Sequence, residues 1–290
     1  MKLDGKTVAV VAPAGVPDMT HVEQSIALLE SWGLRVQVGA HVRDRYRYHA
    51  GKHEDRAADL HRALTDPSVD IVWVARGGYG SIYTLRAVPE SVPCAKTLVG
   101  FSDATALFSA LHGMPNVRVI HGPTLNGLAT KHDDASRESM LAELREERVA
   151  PVPLQLLYRP SKDMSRVEGH LAGGNITTLA SISGTQWQAS CDGAIVLLED
   201  VTELAYRIDR NVMQLREAGV FDGARAFVLG DFIRCPLPEN ADFTLHDMLV
   251  DLLKPYDVPI YAGFPIGHGT RNHAWTYGAK AVLEGDQLVR

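Results

Sequence analysis

The chain has 290 residues, 46% hydrophobic and 22% charged, which is enough apolar material for one large domain or two medium ones. A net charge of −6 with no basic stripe argues against a nucleic-acid partner. Three scattered cysteines, Cys94, Cys191 and Cys235, exclude a disulfide framework and a zinc-thiolate site and fit a reduced, cytoplasmic setting.

The apolar run Val8–Ala12 is too short for a signal-peptide core, and no segment has the length of a membrane span. A strand is expected over Thr7–Ala12, ending in Pro13-Ala14-Gly15, then a helix over Thr20–Trp32 stopped by Gly33. A strand follows at Leu34–Val38, then the basic run Arg43-Asp44-Arg45-Tyr46-Arg47 and a helix over His53–Leu64. The apolar strand Val69–Ala75 leads into Arg76-Gly77-Gly78-Tyr79-Gly80 and a short helix from Ser81. Next come a strand at Thr97–Gly100, a helix at Asp103–Leu111 and a strand at Val117–Ile120. Repeated βα units with uninterrupted apolar strands predict a parallel, Rossmann- or flavodoxin-like α/β sheet covered on both faces.

A charged, helix-compatible stretch from Lys131 to Arg148 ends at Val149-Ala150-Pro151-Val152-Pro153. A domain boundary is placed there, giving an N-terminal α/β domain over 1–150 and a smaller mixed α/β domain over 151–290. The second part has strand patterns at Arg166–Leu171, Ala194–Leu198 and Ala226–Gly230 and helical patterns at Ile176–Ser183, Ala205–Ala218 and Phe243–Leu253. Gly285-Asp286 marks a closing hairpin.

Chemistry concentrates where strands end. In Val99-Gly100-Phe101-Ser102-Asp103 a strand runs into a serine and a helix begins at once. Such a turn projects the hydroxyl at the carboxyl edge of the sheet, beside the free N–H groups of the helix start. The same residues also suit a plain helix N-cap. The Arg76–Gly80 loop lets a backbone approach a ligand closely and offers an oxyanion N–H from Gly77 or Gly78, or serves only as a tight turn. Its spacing fits neither a P-loop nor a dinucleotide fingerprint.

A serine nucleophile needs a base and an orienting acid. His268, in Gly267-His268-Gly269, is the least crowded of the twelve histidines, and His121 is the next candidate. Glu199 closes the apolar run Val196-Leu197-Leu198, where an unpaired carboxylate is costly. An imidazole partner would offset that cost; so would Arg207 or Arg210. No histidine spacing suggests a metal.

Seven segments in series, VAPAG at 11–15, RGGYGS at 76–81, VGFSDATAL at 99–107, HGP at 121–123, GHLAGGNITTLASISGT at 169–185, LLEDVTELAYRIDRNVMQLREAG at 197–219 and FPIGH at 264–268, resemble the LD-carboxypeptidase family. That family includes muramoyl-tetrapeptide carboxypeptidases and microcin C immunity peptidases. The resemblance implies an α/β domain followed by a smaller mixed domain, and a triad of Ser102, Glu199 and His268. It implies oxyanion N–H groups from Asp103 and Gly78, a homodimer, and no metal or cofactor. Arg76, Gly77, Tyr79 and His121 are the expected substrate-binding positions. The implied reaction is removal of the terminal D-alanine of a murein tetrapeptide after diaminopimelate, in peptidoglycan recycling. A peptidase of nucleotide conjugates, using Trp187 or Trp275 to stack a base, is the alternative within the class; a catalytically silent ligand-binding protein is the alternative outside it. The stretch Asn272–Gly278 lacks the family's proline-glycine turn, and residues 124–168 show little family pattern.

Overall fold

A computed structural model of the protein describes residues 2–162 and 164–290. The chain divides into two compact units. One runs to Glu147 and includes Asn272–Tyr277; the other holds Arg148–Arg271 and Gly278–Arg290. A single cut at residue 150 therefore misses the return of 272–277, which a linear reading of composition has no means to detect.

The first unit alternates strand and helix: β1 (Thr7–Val11), α1 (Met19–Ser31), β2 (Arg35–Val38), α2 (His53–Thr65), β3 (Ile71–Val74), α3 (Ser81–Thr84), β4 (Lys96–Gly100), α4 (Thr105–Leu111), β5 (Val117–His121), α5 (Leu125–Leu128) and α6 (Asp134–Arg145). The strands pair in parallel in the order β5-β4-β3-β1-β2. Trp275–Thr276 adds antiparallel to the outer edge of β5. Strands β3 and β4 are buried along their whole length, as a sheet covered on both faces requires. Helix starts follow capping chemistry: Asp18 accepts from the Thr20 N–H at 2.9 Å for α1, and Asp133 from the Ser136 N–H at 2.9 Å for α6. The core packs Val8, Val10 and Ile71 against Val22 and Leu29 of α1. Trp73 is fully buried and donates its indole N–H to Pro123 O at 2.9 Å, so its one polar atom is satisfied.

The second unit contains β6 (Val152–Pro153), β7 (Gln155–Tyr158), β8 (Arg166–Asn175), α7 (Ile176–Ile182), β9 (Ala194–Val201), α8 (Ala205–Glu217), β10 (Ala226–Ile233), α9 (Leu245–Leu253) and β11 (Ile260–Ala262). The chain then leaves for β12, the Trp275–Thr276 strand, and returns for β13 (Lys280–Glu284) and β14 (Gln287–Val289). Its eight-stranded sheet has the order β6-β14-β13-β8-β9-β10-β11-β7. The central strands β8 to β11 are parallel and the flanking ones antiparallel. This is the mixed α/β architecture expected from the sequence, beside the parallel α/β unit.

Candidate active site

In the first unit β4 lies between β3 and β5, so Ser102 emerges at the carboxyl edge of the sheet. Phe101 is extended, and Ser102 then takes φ +63°, the left-handed region that side chains rarely adopt. A short 3-10 turn over Ser102–Ala104 passes directly into α4. The strand thus reverses into a helix within one residue, leaving Ser102 half-buried while Asp103 and Ala104 are buried. Strain of this kind, on the order of 1–3 kcal/mol, persists where the surroundings enforce it.

The glycine loop leaves room for it here. A Cβ on Gly77 would stand 2.9 Å from both Cβ and Oγ of Ser102, so bare backbone is what fits against the serine. Gly77 O accepts from the Gly15 N–H at 3.0 Å, and Gly78 follows at φ +105°. The Asp103 carboxylate accepts the Ser81 N–H at 2.7 Å, tying the serine turn to the end of the loop. Burial pushes the Asp103 carboxyl up, against the Ser81 and Gly80 donors and the Arg56 charge. The N–H groups of Gly78 and Asp103 therefore belong to the two turns that meet at Ser102.

Of the other loop residues, Arg76 spends one guanidinium N–H on Val16 O at 2.5 Å. Tyr79 is exposed and its phenol is pushed up to about 12, first by a 3.4 Å hydrogen bond to Tyr83. His121 has no exposed surface. It stacks on Trp275 with ring centroids 5.1 Å apart and packs beside Phe101 and Phe108. His121 is thus enclosed among aromatic side chains, away from the exposed face of the glycine loop that carries Tyr79. Trp275 is equally enclosed, which removes it as a platform for a nucleobase.

In the second unit β9 delivers Glu199 at its carboxyl end, with no exposed surface. Glu199 Oε2 lies 2.8 Å from His268 Nδ1. The arginine alternatives are engaged elsewhere: Arg207 approaches Glu203 at 3.6 Å and Arg210 lies over the Tyr206 ring. The imidazole side chain keeps 14% of its surface exposed against 0% for the carboxylate. Nδ1–H donated to Glu199 leaves the lone pair on Nε2, the tautomer a general base needs. Buried Phe264 and Ile266 anchor the loop that carries the histidine. Gly267, at φ +124°, passes so close to Glu199 that a Cβ would be 3.2 Å from Oε2.

The neighbouring acids differ. Asp200 accepts from Asn175 Nδ2, the Thr177 N–H and hydroxyl, and the Val201 N–H, and fixes the start of α7. Among the described residues Asp231 has no such donors, and it sits against the histidine loop, where a Cβ on Gly269 would be 2.5 Å from its Oδ2. Sequence reasoning missed Asp231 because the strand was expected to stop at Gly230. The only signal was a charged residue next to that glycine.

Among the described residues, His41, Asp44 and Asp55 bring possible metal-ligand atoms within 4.8 Å of one another. A 2.8 Å ion pair between His41 and Asp44 already accounts for that cluster. Cys191 is wholly buried, with its thiol pushed up to about 12 by desolvation, and is chemically inert.

A turn-borne serine in a parallel α/β unit and a carboxylate–imidazole pair in a mixed unit are the parts of a serine hydrolase. Residues 8–122 match the LD-carboxypeptidase N-terminal domain and residues 168–283 the LD-carboxypeptidase C-terminal domain. The chain belongs to the LD-carboxypeptidase family, and is by that membership a serine carboxypeptidase. It is 38% identical to a murein tetrapeptide carboxypeptidase of Pseudomonas aeruginosa, over 99% of this chain and 95% of the relative. It is 32% identical to a probable murein peptide carboxypeptidase of Bacillus subtilis, over 96% of this chain and 89% of the relative. A muramoyltetrapeptide carboxypeptidase structure from Oxalobacter formigenes superposes with a TM-score of 0.80 at 28% identity, over 97% of each chain. The microcin C7 self-immunity protein MccF shares the fold, with a TM-score of 0.81 at 20% identity over 98% of this chain and 96% of that one.

Proposed function

We propose that the protein removes the terminal D-alanine from murein tetrapeptide, with Ser102 as nucleophile, His268 as general base and then acid, and Glu199 as the group that orients it. The observation that carries the reading is the 2.8 Å Glu199–His268 pair, a buried carboxylate spent on fixing one imidazole tautomer. The left-handed Ser102 turn, held against bare glycine backbone, supports the other half of the assignment.

In this mechanism His268 Nε2 accepts the Ser102 proton as Oγ attacks the carbonyl of the diaminopimelate residue. The tetrahedral oxyanion takes hydrogen bonds from the Gly78 and Asp103 N–H groups. His268 returns the proton to the departing nitrogen of D-alanine. Water, deprotonated by the same imidazole, then releases the tripeptide and the free serine. Arg76, Gly77 and Tyr79 remain the loop positions that we assign to substrate contact. No metal takes part in this scheme. The reaction suits a cytoplasmic recycling enzyme, and a homodimer is the proposed assembly; no helix among the described residues is long and apolar enough to cross a membrane.

Incubation of murein tetrapeptide with the protein should release one alanine per peptide, read by mass spectrometry. Ser102→Ala should lower kcat by about 10⁴- to 10⁶-fold. Normal turnover by that variant would refute the nucleophile, and an intact tetrapeptide would refute the substrate.

A further inference from the structure

Asp231 combines three properties that the mechanism above leaves unused. It is held to the histidine loop by its own backbone, whose N–H donates to Ile266 O at 2.8 Å. Its carboxylate lies against that loop at Gly269, the residue after His268. It also faces a cavity of about 510 Å³ lined by Gly230, Ile233, Cys235, Thr244 and His246, among others. The lining contains no lysine or arginine.

A half-buried carboxylate ordinarily finds a donor or a cation. Among the described residues Asp231 accepts no side-chain or backbone hydrogen bond and forms no ion pair within 4 Å. Burial pushes its carboxyl up, the Arg271 charge opposes that, and the Glu199 charge adds a smaller upward push. The fold therefore keeps a second acid against the histidine loop, at a cost, with no hydrogen bond to its carboxylate and no close ion pair among the described residues.

We propose that Asp231 binds the side-chain ammonium of the substrate residue that supplies the scissile carbonyl, and so sets specificity at that position. The proposal rests on the murein-peptide reading and adds to it the group that is recognised. Diaminopimelate carries an amine at the far end of its side chain, a few methylenes from the carbonyl that Ser102 attacks. An ammonium group offers three donors to a carboxylate that has none, and a cavity whose one carboxylate is Asp231 and whose lining holds no lysine or arginine leaves that charge for a cation. A neutral side chain at the same position would leave Asp231 desolvated and unpaired.

The test compares two tetrapeptides ending in D-alanine that differ only in the third residue, whose side-chain amine is free in one and acetylated in the other. The wild-type protein should favour the free amine by about 10- to 100-fold in kcat/KM, chiefly through KM. Asp231→Asn should bring that ratio to within about twofold, and Asp231→Glu should restore part of it. Equal cleavage of both peptides by the wild-type protein, or an Asp231→Asn variant that keeps the full ratio while losing activity on both, would overturn the proposal. The second result would mark Asp231 as packing for the histidine loop. Should Asp231→Asn fail to fold, the wild-type and Asp231→Glu ratios still decide. A wild-type protein that cleaves neither peptide defeats the murein reading itself, an outcome distinct from cleavage without preference.

Discussion

Among the described residues Glu199 has one side-chain partner, His268, and that partner needs it. Glu199→Gln keeps an acceptor for Nδ1–H but removes the charge that stabilises the imidazolium formed during attack. We expect kcat to fall by about 10²- to 10⁴-fold with a much smaller change in KM, measured by steady-state release of D-alanine. Gly77 has the opposite character, because its value is the absence of a side chain. Gly77→Ala places a methyl 2.9 Å from Cβ and Oγ of Ser102. The serine must leave its left-handed conformation or the loop must retreat. Turnover should drop at least about tenfold while the melting temperature falls only a few degrees, read by kinetics and thermal denaturation on the same samples. Both positions were legible in the sequence, because a residue placed directly after an apolar strand announces itself locally. His121 shows the limit of that rule. It has the same local signature, at the end of β5, yet is sealed by Trp275, whose arrival depends on chain far away in sequence.

At the scale of elements, most helices and the parallel strands of the first sheet were foreseen within a residue or two, as with α2 and β4, whereas β8, β9 and β10 run three or four residues past their expected ends. The short strands β6, β7, β11 and β12 were not, since two to four residues show no periodicity and pairing alone makes them strands. The β7–β11 edge is secured by side chains. Asp257, itself at φ +49°, accepts from the Ser161 N–H at 2.8 Å and from Tyr158 Oη at 3.3 Å. The Ser161 hydroxyl and N–H together hold the Asp257 carboxyl below its ordinary 3.8. A carboxyl lowered in the folded state adds stability that is fully present above its unfolded value and is lost as pH falls through the folded one. Asp257→Asn should therefore lower the melting temperature slightly at pH 7, and the difference should shrink as pH falls below the ordinary carboxyl value. A deficit that persists unchanged in acid would show that packing, not charge, secures this edge.

The whole molecule is organised around an excursion. Residues 272–277 leave the second unit, add β12 to the first sheet, and go back. The Ala274 N–H donates to Ser139 Oγ at 3.0 Å, the Asn272 N–H to Ser136 Oγ at 2.8 Å, and the Thr276 hydroxyl to Glu143 Oε2 at 2.8 Å. The two serines of α6 are thus matched to a segment more than a hundred residues downstream, a pairing that no local pattern reveals. Trp275→Ala should cost about 3–5 kcal/mol by denaturant unfolding, as expected for deleting a fully buried aromatic side chain. A fragment ending at Glu147 should be markedly less protected from proteolysis than the same fragment supplied with a peptide spanning 272–277.

That excursion also bears on biosynthesis. As the ribosome extends the chain, the layer that bears Ser102 is made first, and its edge strand and the indole that seals His121 emerge more than a hundred residues later. The nucleophile's layer is thus made well before its keystone arrives, and a nascent product that stops short of residue 272 holds a nucleophile whose supporting wall is still unfinished.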